Sequence, residues 1–154
     1  MRKNIALILL ALILLLTLTA CGDDDKDVTY ADGTYTAQSS VFVNDDGTDD
    51  GNGYGVVTIT IEGGVVTACE FATYEENGNL KDENYGKEGG EVANRDYFNK
   101  AQKAVKAVEK YAERFVENGG KVKKLDVISG ATVNHDEFVE AATAALKEAQ
   151  VKEQ

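Results

Sequence analysis

Apolar and polar residues alternate with a period of two between residues 57 and 61, where Val57, Ile59 and Ile61 are separated by Thr58 and Thr60. That is the pattern of a half-buried strand, one face on a core and the other in water. Glu62-Gly63-Gly64 follows as a tight-turn signal, so the chain is predicted to fold back on itself as a hairpin whose return strand spans Val65 to Tyr74. Upstream, Asp32-Gly33 marks a turn. Thr34-Tyr35-Thr36-Ala37, continued by Val41-Phe42-Val43, reads as a first strand with a bulge near Ser39. Beyond the hairpin the period changes. Tyr97, Ala101, Ala104, Val105, Val108, Ala112, Phe115 and Val116 recur at helical spacing, and Asn118-Gly119-Gly120 suits a C-terminal cap. This stripe consists of ordinary aliphatic residues opposite a Lys and Glu face, which is the composition of a core surface rather than of a cofactor box. Residues 122–128 read as a short strand. Residues 135–150 read as a second amphipathic helix, with Phe138, Ala141, Ala142, Ala145 and Ala149 inward and Asn134 with Glu137 as its start signal. Residues 75–94 are polar, Gly-rich and without a period, so they are assigned to one long loop, a length that in small domains accompanies function or disorder. No internal repeat is present. The expected fold class is α+β, with a small antiparallel sheet packed against two main helices in a single domain.

The first twenty residues follow a different rule. Arg2 and Lys3 precede an unbroken apolar run over residues 5–16, and no acidic residue occurs before Asp23. This is the layout of a secretory signal, and the run is shorter than the ~20 apolar residues a spanning helix needs. Leu18-Thr19-Ala20-Cys21 resembles the lipobox of bacterial lipoproteins, in which a small residue admits the signal peptidase and the Cys thiol receives a diacylglycerol. The resemblance implies cleavage after residue 20, Cys21 as the lipidated first residue, and an extracytoplasmic protein held to the cell membrane by its lipid. An uncleaved anchor, or an ordinary signal leaving a free thiol, are the other readings. Residues 21–31 then form an acidic tether, whose Asp23, Asp24, Asp25 and Asp27 repel one another, and residues 32–154 form the domain.

Charge narrows the partners. The chain of 154 residues carries 16 basic and 27 acidic side chains. Removing the first 20 residues takes Arg2 and Lys3 with them, so 134 residues remain and the net charge moves from -11 to -13. Nucleic acid is excluded as a partner, because its binding draws on clustered Lys and Arg. An anionic lipid surface would repel such a chain. With Cys21 lipidated, Cys69 has no partner for a disulfide and reads as a buried thiol within an apolar alternation. Residues 44–55 alternate Gly with Asp and Asn as a solvated loop. Asp46, Thr48, Asp50 and Gly51 approach the spacing of a calcium loop, but Thr stands at its third position and Val57 where a bidentate Glu would close the shell, so no metal is assigned.

The chemistry is concentrated in Asp126-Val127-Ile128-Ser129-Gly130-Ala131-Thr132. Small residues there let a backbone approach a ligand, Gly130 permits a positive φ, and a helix that begins just afterwards offers outward-pointing amides at the positive end of its dipole. The residues themselves leave two readings, an anion site suited to phosphate and a structural turn of small side chains. At this segment the sequence resembles the FMN-binding lipoprotein family, whose domain is shared with periplasmic flavoprotein subunits of bacterial ion-pumping redox complexes. The family motif is Asp-x-x-Ser/Thr-Gly-Ala-Thr, and every fixed position is matched here. The likeness extends loosely to the Asp-Gly-Thr-Tyr at residues 32–35, the Gly-Tyr-Gly at residues 53–55 and the Gly-turn hairpin. Asn134 stands where many relatives have Ser or Thr, and residues 75–94 depart from the pattern, which leaves the wall around the flavin ring unassigned.

What the resemblance implies is specific. An FAD:protein FMN transferase moves FMN from FAD onto Thr132 as a phosphoester, Ser129, Gly130 and Ala131 are recognition residues, and Asp126 is read by the transferase or orients the turn. The phosphate would rest on the amides opening the last helix, within reach of His135, which otherwise reads as a solvated first-turn residue. The protein would be an electron carrier between a membrane redox donor and an external acceptor, with no substrate turnover of its own. Two other classes stay open on the sequence: a lipid-anchored module binding a small ligand noncovalently, and a cofactor-free surface interaction protein.

Overall fold

The computed structural model describes residues 28–44, 47 and 52–151. The signal segment, Cys21, residues 22–27 of the tether and the calcium-like residues Asp46, Thr48, Asp50 and Gly51 lie outside them.

Three strands form one antiparallel sheet in the order β1 (Gly33–Gln38), β2 (Tyr54–Glu62), β3 (Val65–Tyr74). The hairpin turns at Gly63-Gly64 as its sequence requires, with Glu62 facing Val65 in register. The alternation on β2 is realised: Val57, Ile59 and Ile61 are fully buried, and the threonines between them point the other way. On β3 the pairing slips between Thr60 and Ile61, so that Ile61 faces Val66 while Thr60 faces Ala68. Thr67 is the extra residue of a bulge, which switches the inward positions from Val66 to Phe71 and Thr73.

Two helices cover the inner face, α1 (Arg95–Glu117) against β3 and α2 (Thr132–Ala149) against β2 and β1. Asn94 caps α1 by accepting from the Tyr97 amide at 3.0 Å. Its other end closes as expected, with Gly120 N donating to Phe115 O and Gly119 N to Val116 O, both at 2.9 Å, the paired bonds of a Schellman motif. Helix α2 presents Ala141, Ala142, Ala145 and Ala149, all buried, so that its backbone lies close to the sheet. The space left at its N-terminal half is filled by Phe138, whose ring meets Phe71 and Phe115 edge-on at 5.0 and 5.3 Å and stacks on Tyr111 at 6.0 Å. The α+β architecture is the one expected. At the far end of α2, Ala31 N donates to Ala149 O and Val151 N to Thr29 O, both at 2.9 Å.

Three local expectations are corrected. The first strand ends at Gln38, and residues 41–43 are not strand; Ser39 N still bonds Gly55 O and Phe42 N bonds Gly53 O, three residues against two, so the ladder is out of step. Residues 122–128 hold a turn of 3-10 helix, Val122–Lys124, instead of a strand. Val122, Leu125 and Ile128 are the residues turned to the core, a spacing of three that fits a 3-10 turn and not a pleat. Helix α2 begins at Thr132, three residues before the expected start, and its N-cap Ala131 offers no side-chain bond. Asn134 does not cap: its Nδ2 donates to Ala104 O at 2.9 Å and ties α2 to α1.

Candidate functional site

The turn before α2 is built by the backbone and by one tyrosine. Ala131 N donates to Ile128 O at 2.9 Å, closing four residues into a turn, and Gly130 sits at φ +83°, where a side chain is strained. From α1, the buried Tyr111 hydroxyl accepts from Ile128 N at 2.8 Å and donates to Ala131 O at 3.1 Å. One phenol thus holds both ends of the turn, and burial raises its pKa. Tyr111→Phe leaves a buried amide and carbonyl without that partner, and we expect a loss of about 1–3 kcal/mol, read as a lower urea midpoint at unchanged slope.

Held in this way, the motif presents Asp126, Ser129, Gly130 and Thr132 to solvent, while Ala131 packs into the core. Thr132 opens α2, and no side chain caps the helix, so the first-turn amides remain available to an anion.

Thr132 also stands on the rim of a cavity of about 310 Å³, within the range of small-ligand sites. One side is Gly130 to Asn134 of the turn and α2, and the opposite side is Tyr97, Lys100, Ala101, Ala104 and Val105 of α1. Thr73 of β3, Asn52, and Lys81 with Tyr85 from residues 75–94 complete it. The stripe on α1 therefore divides. Its C-terminal part, Ala112 and Phe115, is core as expected, whereas its N-terminal part lines the cavity and Tyr97 is about half exposed. In a chain of net charge -11, this wall carries Lys81 and Lys100, and Lys103 lies beside Gly130.

Lys81 on this wall is paired with the buried Glu137 behind it. Lys81 and Glu137 are 7% and 2% exposed, and Lys81 Nζ is 3.8 Å from Glu137 Oε1 while it donates to the Asn52 carbonyl. Gly55 makes room for the carboxylate: a Cβ there would stand 2.7 Å from Phe71 and 2.9 Å from the Glu137 Cβ. Burial pushes Glu137 up to about 7 against the attraction of Lys81, and burial lowers Lys81 against the attraction of Glu137. Both partners move towards neutrality, so desolvation outweighs an ion pair at this separation. Between the ordinary carboxylate value and about 7, the native state holds a proton that the unfolded chain has released. The contribution of Glu137 to stability therefore falls as pH rises through that window, by roughly 3 kcal/mol in all. In Glu137→Gln this fall is absent, and we expect a flatter stability profile between pH ~4.5 and ~7 in urea titrations.

Of the residues singled out in the sequence, Ser129, Gly130, Ala131 and Thr132 come together in one turn, with Asp126 exposed just upstream. His135 belongs elsewhere. Its Nε2 lies 3.1 Å from Leu125 O and its Nδ1 3.0 Å from Asp136, so the ring faces the 3-10 turn, is half-buried, and is not on the cavity wall. Cys69 packs against the core, and burial pushes its thiol up to about 12. Lys81 and Tyr85 have no signal in the sequence, since a lone Lys or Tyr in an aperiodic polar run looks like surface, while Thr73 in the return strand and Glu137 in the helix start signal fall inside predicted elements whose spacing does not show that they meet at a cavity. Among the described residues, no group of three or more His, Cys, Asp or Glu side chains is placed to hold a metal ion, and no helix is long and apolar enough to cross a membrane.

The fold is similar to the crystal structure of a Clostridium perfringens structural-genomics protein, with 20% identity, a TM-score of 0.56, and coverage of 78% of this chain and 88% of that one. A solution NMR structure of a Clostridium thermocellum protein aligns at 22% identity and a TM-score of 0.46 over 80% of this chain and 95% of that one. No curated protein matches the chain. A family model, that of the FMN-binding domain, matches residues 50–147, which include the hairpin, the cavity wall and the whole Asp126 to Thr132 motif. The chain belongs to the FMN-binding domain family.

Proposed function

We propose that this protein is a lipid-anchored, extracytoplasmic electron carrier whose FMN is esterified to Thr132 by an FAD:protein FMN transferase. The observation that carries the reading is the placement of the Thr132 hydroxyl. Thr132 is exposed to solvent, set on the rim of a lysine-bearing cavity, and followed by uncapped helix amides.

Each part of that placement has a chemical use. A threonine alcohol is a poor nucleophile unaided, so the transferase supplies the base and this chain supplies access. Ser129 and Gly130 keep the strip narrow, and the Tyr111 clamp holds it in one shape for recognition. The α2 amides and the nearby Lys100 and Lys103 would hold and neutralise the phosphate. Tyr85 and Tyr97, with Ala101, Ala104 and Val105, would give the ring an aromatic and aliphatic wall. Redox chemistry, the uptake and release of one or two electrons, belongs to the flavin when bound, and the protein orients and surrounds it.

Outside the cell a noncovalent flavin is lost by dilution, whereas a tethered one stays at high effective concentration. The lipid on Cys21 and the acidic segment after it keep the carrier within short reach of a membrane redox donor. Intact mass of the protein from its native membrane tests the whole reading: diacylglycerol and FMN on one chain support it. Flavin released on denaturation supports a noncovalent binding module instead, and a chain without flavin supports a surface interaction protein.

A further inference from the structure

Among the described residues, the hydroxyl of Thr73 has no hydrogen-bond partner. Its Oγ1 is buried, the residue lines the cavity, and no described residue is within hydrogen-bonding reach. An unpaired buried hydroxyl costs about 1–3 kcal/mol, and a valine of the same shape on this inward position of β3 would avoid it. A threonine there is accounted for by a partner that enters the cavity. Beside it on the same wall stands Lys81, whose ammonium has three N–H groups; one is donated to Asn52 O, and the nitrogen stands 3.8 Å from Glu137 Oε1, beyond hydrogen-bond length, which leaves N–H groups for a ligand. Hydroxyl and ammonium are both donors. Glu137 lies five residues after Thr132 on α2, about 7.5 Å along the helix axis, so these donors sit inward of the attachment point.

We propose that Thr73 and Lys81 form a two-donor subsite for the carbonyl edge of the heterocyclic ring held in the cavity, with Glu137 as a positioning residue behind Lys81. The inference rests on the FMN reading above and adds to it which residues grip the ring and set its electron affinity. A cation hydrogen-bonded to an edge that gains negative charge on reduction stabilises the reduced form, and a carboxylate behind that cation opposes it. Lys81 therefore raises the midpoint potential and Glu137 moderates the rise.

The test uses the full chain, coexpressed with the transferase and purified with its flavin. Flavin content is read as the fluorescent band on a denaturing gel, and the ring environment as the visible absorption spectrum and the midpoint potential at pH ~8. Thr73→Val and Lys81→Met are expected to keep the wild-type band while shifting the absorption spectrum. Lys81→Met is expected to disfavour the reduced form at least tenfold, about 30 mV for a two-electron couple, and Glu137→Gln to move the potential the opposite way. Should Lys81→Met fail to fold because it strands the Glu137 carboxylate, the double variant Lys81→Met/Glu137→Gln removes the pair together, and its spectrum is compared with that of Glu137→Gln. Variants that load flavin normally with unchanged spectrum and potential would overturn the subsite and leave Thr73 as a water-binding hydroxyl. A wild-type chain with no fluorescent band would overturn the FMN reading itself, and the subsite with it.

Discussion

Replacing Thr132 by alanine is expected to reduce the flavin band of the coexpressed protein to background while leaving the fold unchanged. The loss is expected to be total because the proposed ester needs this hydroxyl, and Ser129, the other hydroxyl of the motif, is three residues back in the chain. The fold is spared because Thr132 is exposed at the first position of α2 and caps nothing, and such surface changes stay within about 0.5 kcal/mol. Thr132→Ser, which keeps an alcohol, is expected to retain attachment. Gel fluorescence with circular dichroism on the same samples decides it. A fluorescent, covalently flavinylated Thr132→Ala chain would place the ester elsewhere and remove the proposed role of the turn.

The largest effect on stability is expected at Phe138. Its side chain is fully buried and meets three aromatic rings, one from β3 and two from α1, so Phe138→Ala opens a hole among rigid neighbours that cannot close over it. Such truncations cost about 3–5 kcal/mol, a large share of the roughly 5–15 kcal/mol that holds a small domain together. Chemical denaturation should show the midpoint falling without a change of slope. Phe138 follows Glu137 and packs on Tyr111, so the variant should also exchange the amides of Ile128 and Ala131 faster. Unchanged exchange there would show that the turn is held independently of the core.

Much of this architecture could be read from residue order. The hairpin was visible in Val57, Ile59 and Ile61 and in the two glycines after Glu62, because a period of two and a two-residue turn are local properties. The helix α1 and its closure at Asn118-Gly119-Gly120 were visible for the same reason. The turn at Ser129 to Thr132 announced itself through a run of small residues. Misreadings arose where a local pattern had two uses. Asn134 followed by Glu137 looks like a capping pair, but Asn134 is claimed by the Ala104 carbonyl of another helix. Val122, Leu125 and Ile128 belong to a 3-10 spacing that a short apolar run does not separate from a strand. His135 reads as within reach of the phosphate or as a solvated first-turn residue, and its half-buried ring against Leu125 O is neither, since helical spacing alone does not say which way a ring turns.

The sequence by itself therefore determined the hairpin, the two helices, the excess of acidic residues and the small-residue turn that carries the Thr132 hydroxyl, because each depends on residues adjacent in the chain. Only the tertiary structure decided what surrounds that hydroxyl. The cavity joins Thr73, Lys81, Tyr97 and Thr132 from four separate segments, and the Lys81 and Glu137 pair exists because Gly55 lets α2 come close to β2. Burial is a property of the assembled fold, and burial is what turns an ordinary lysine and glutamate in polar stretches into a tuned pair beside the site.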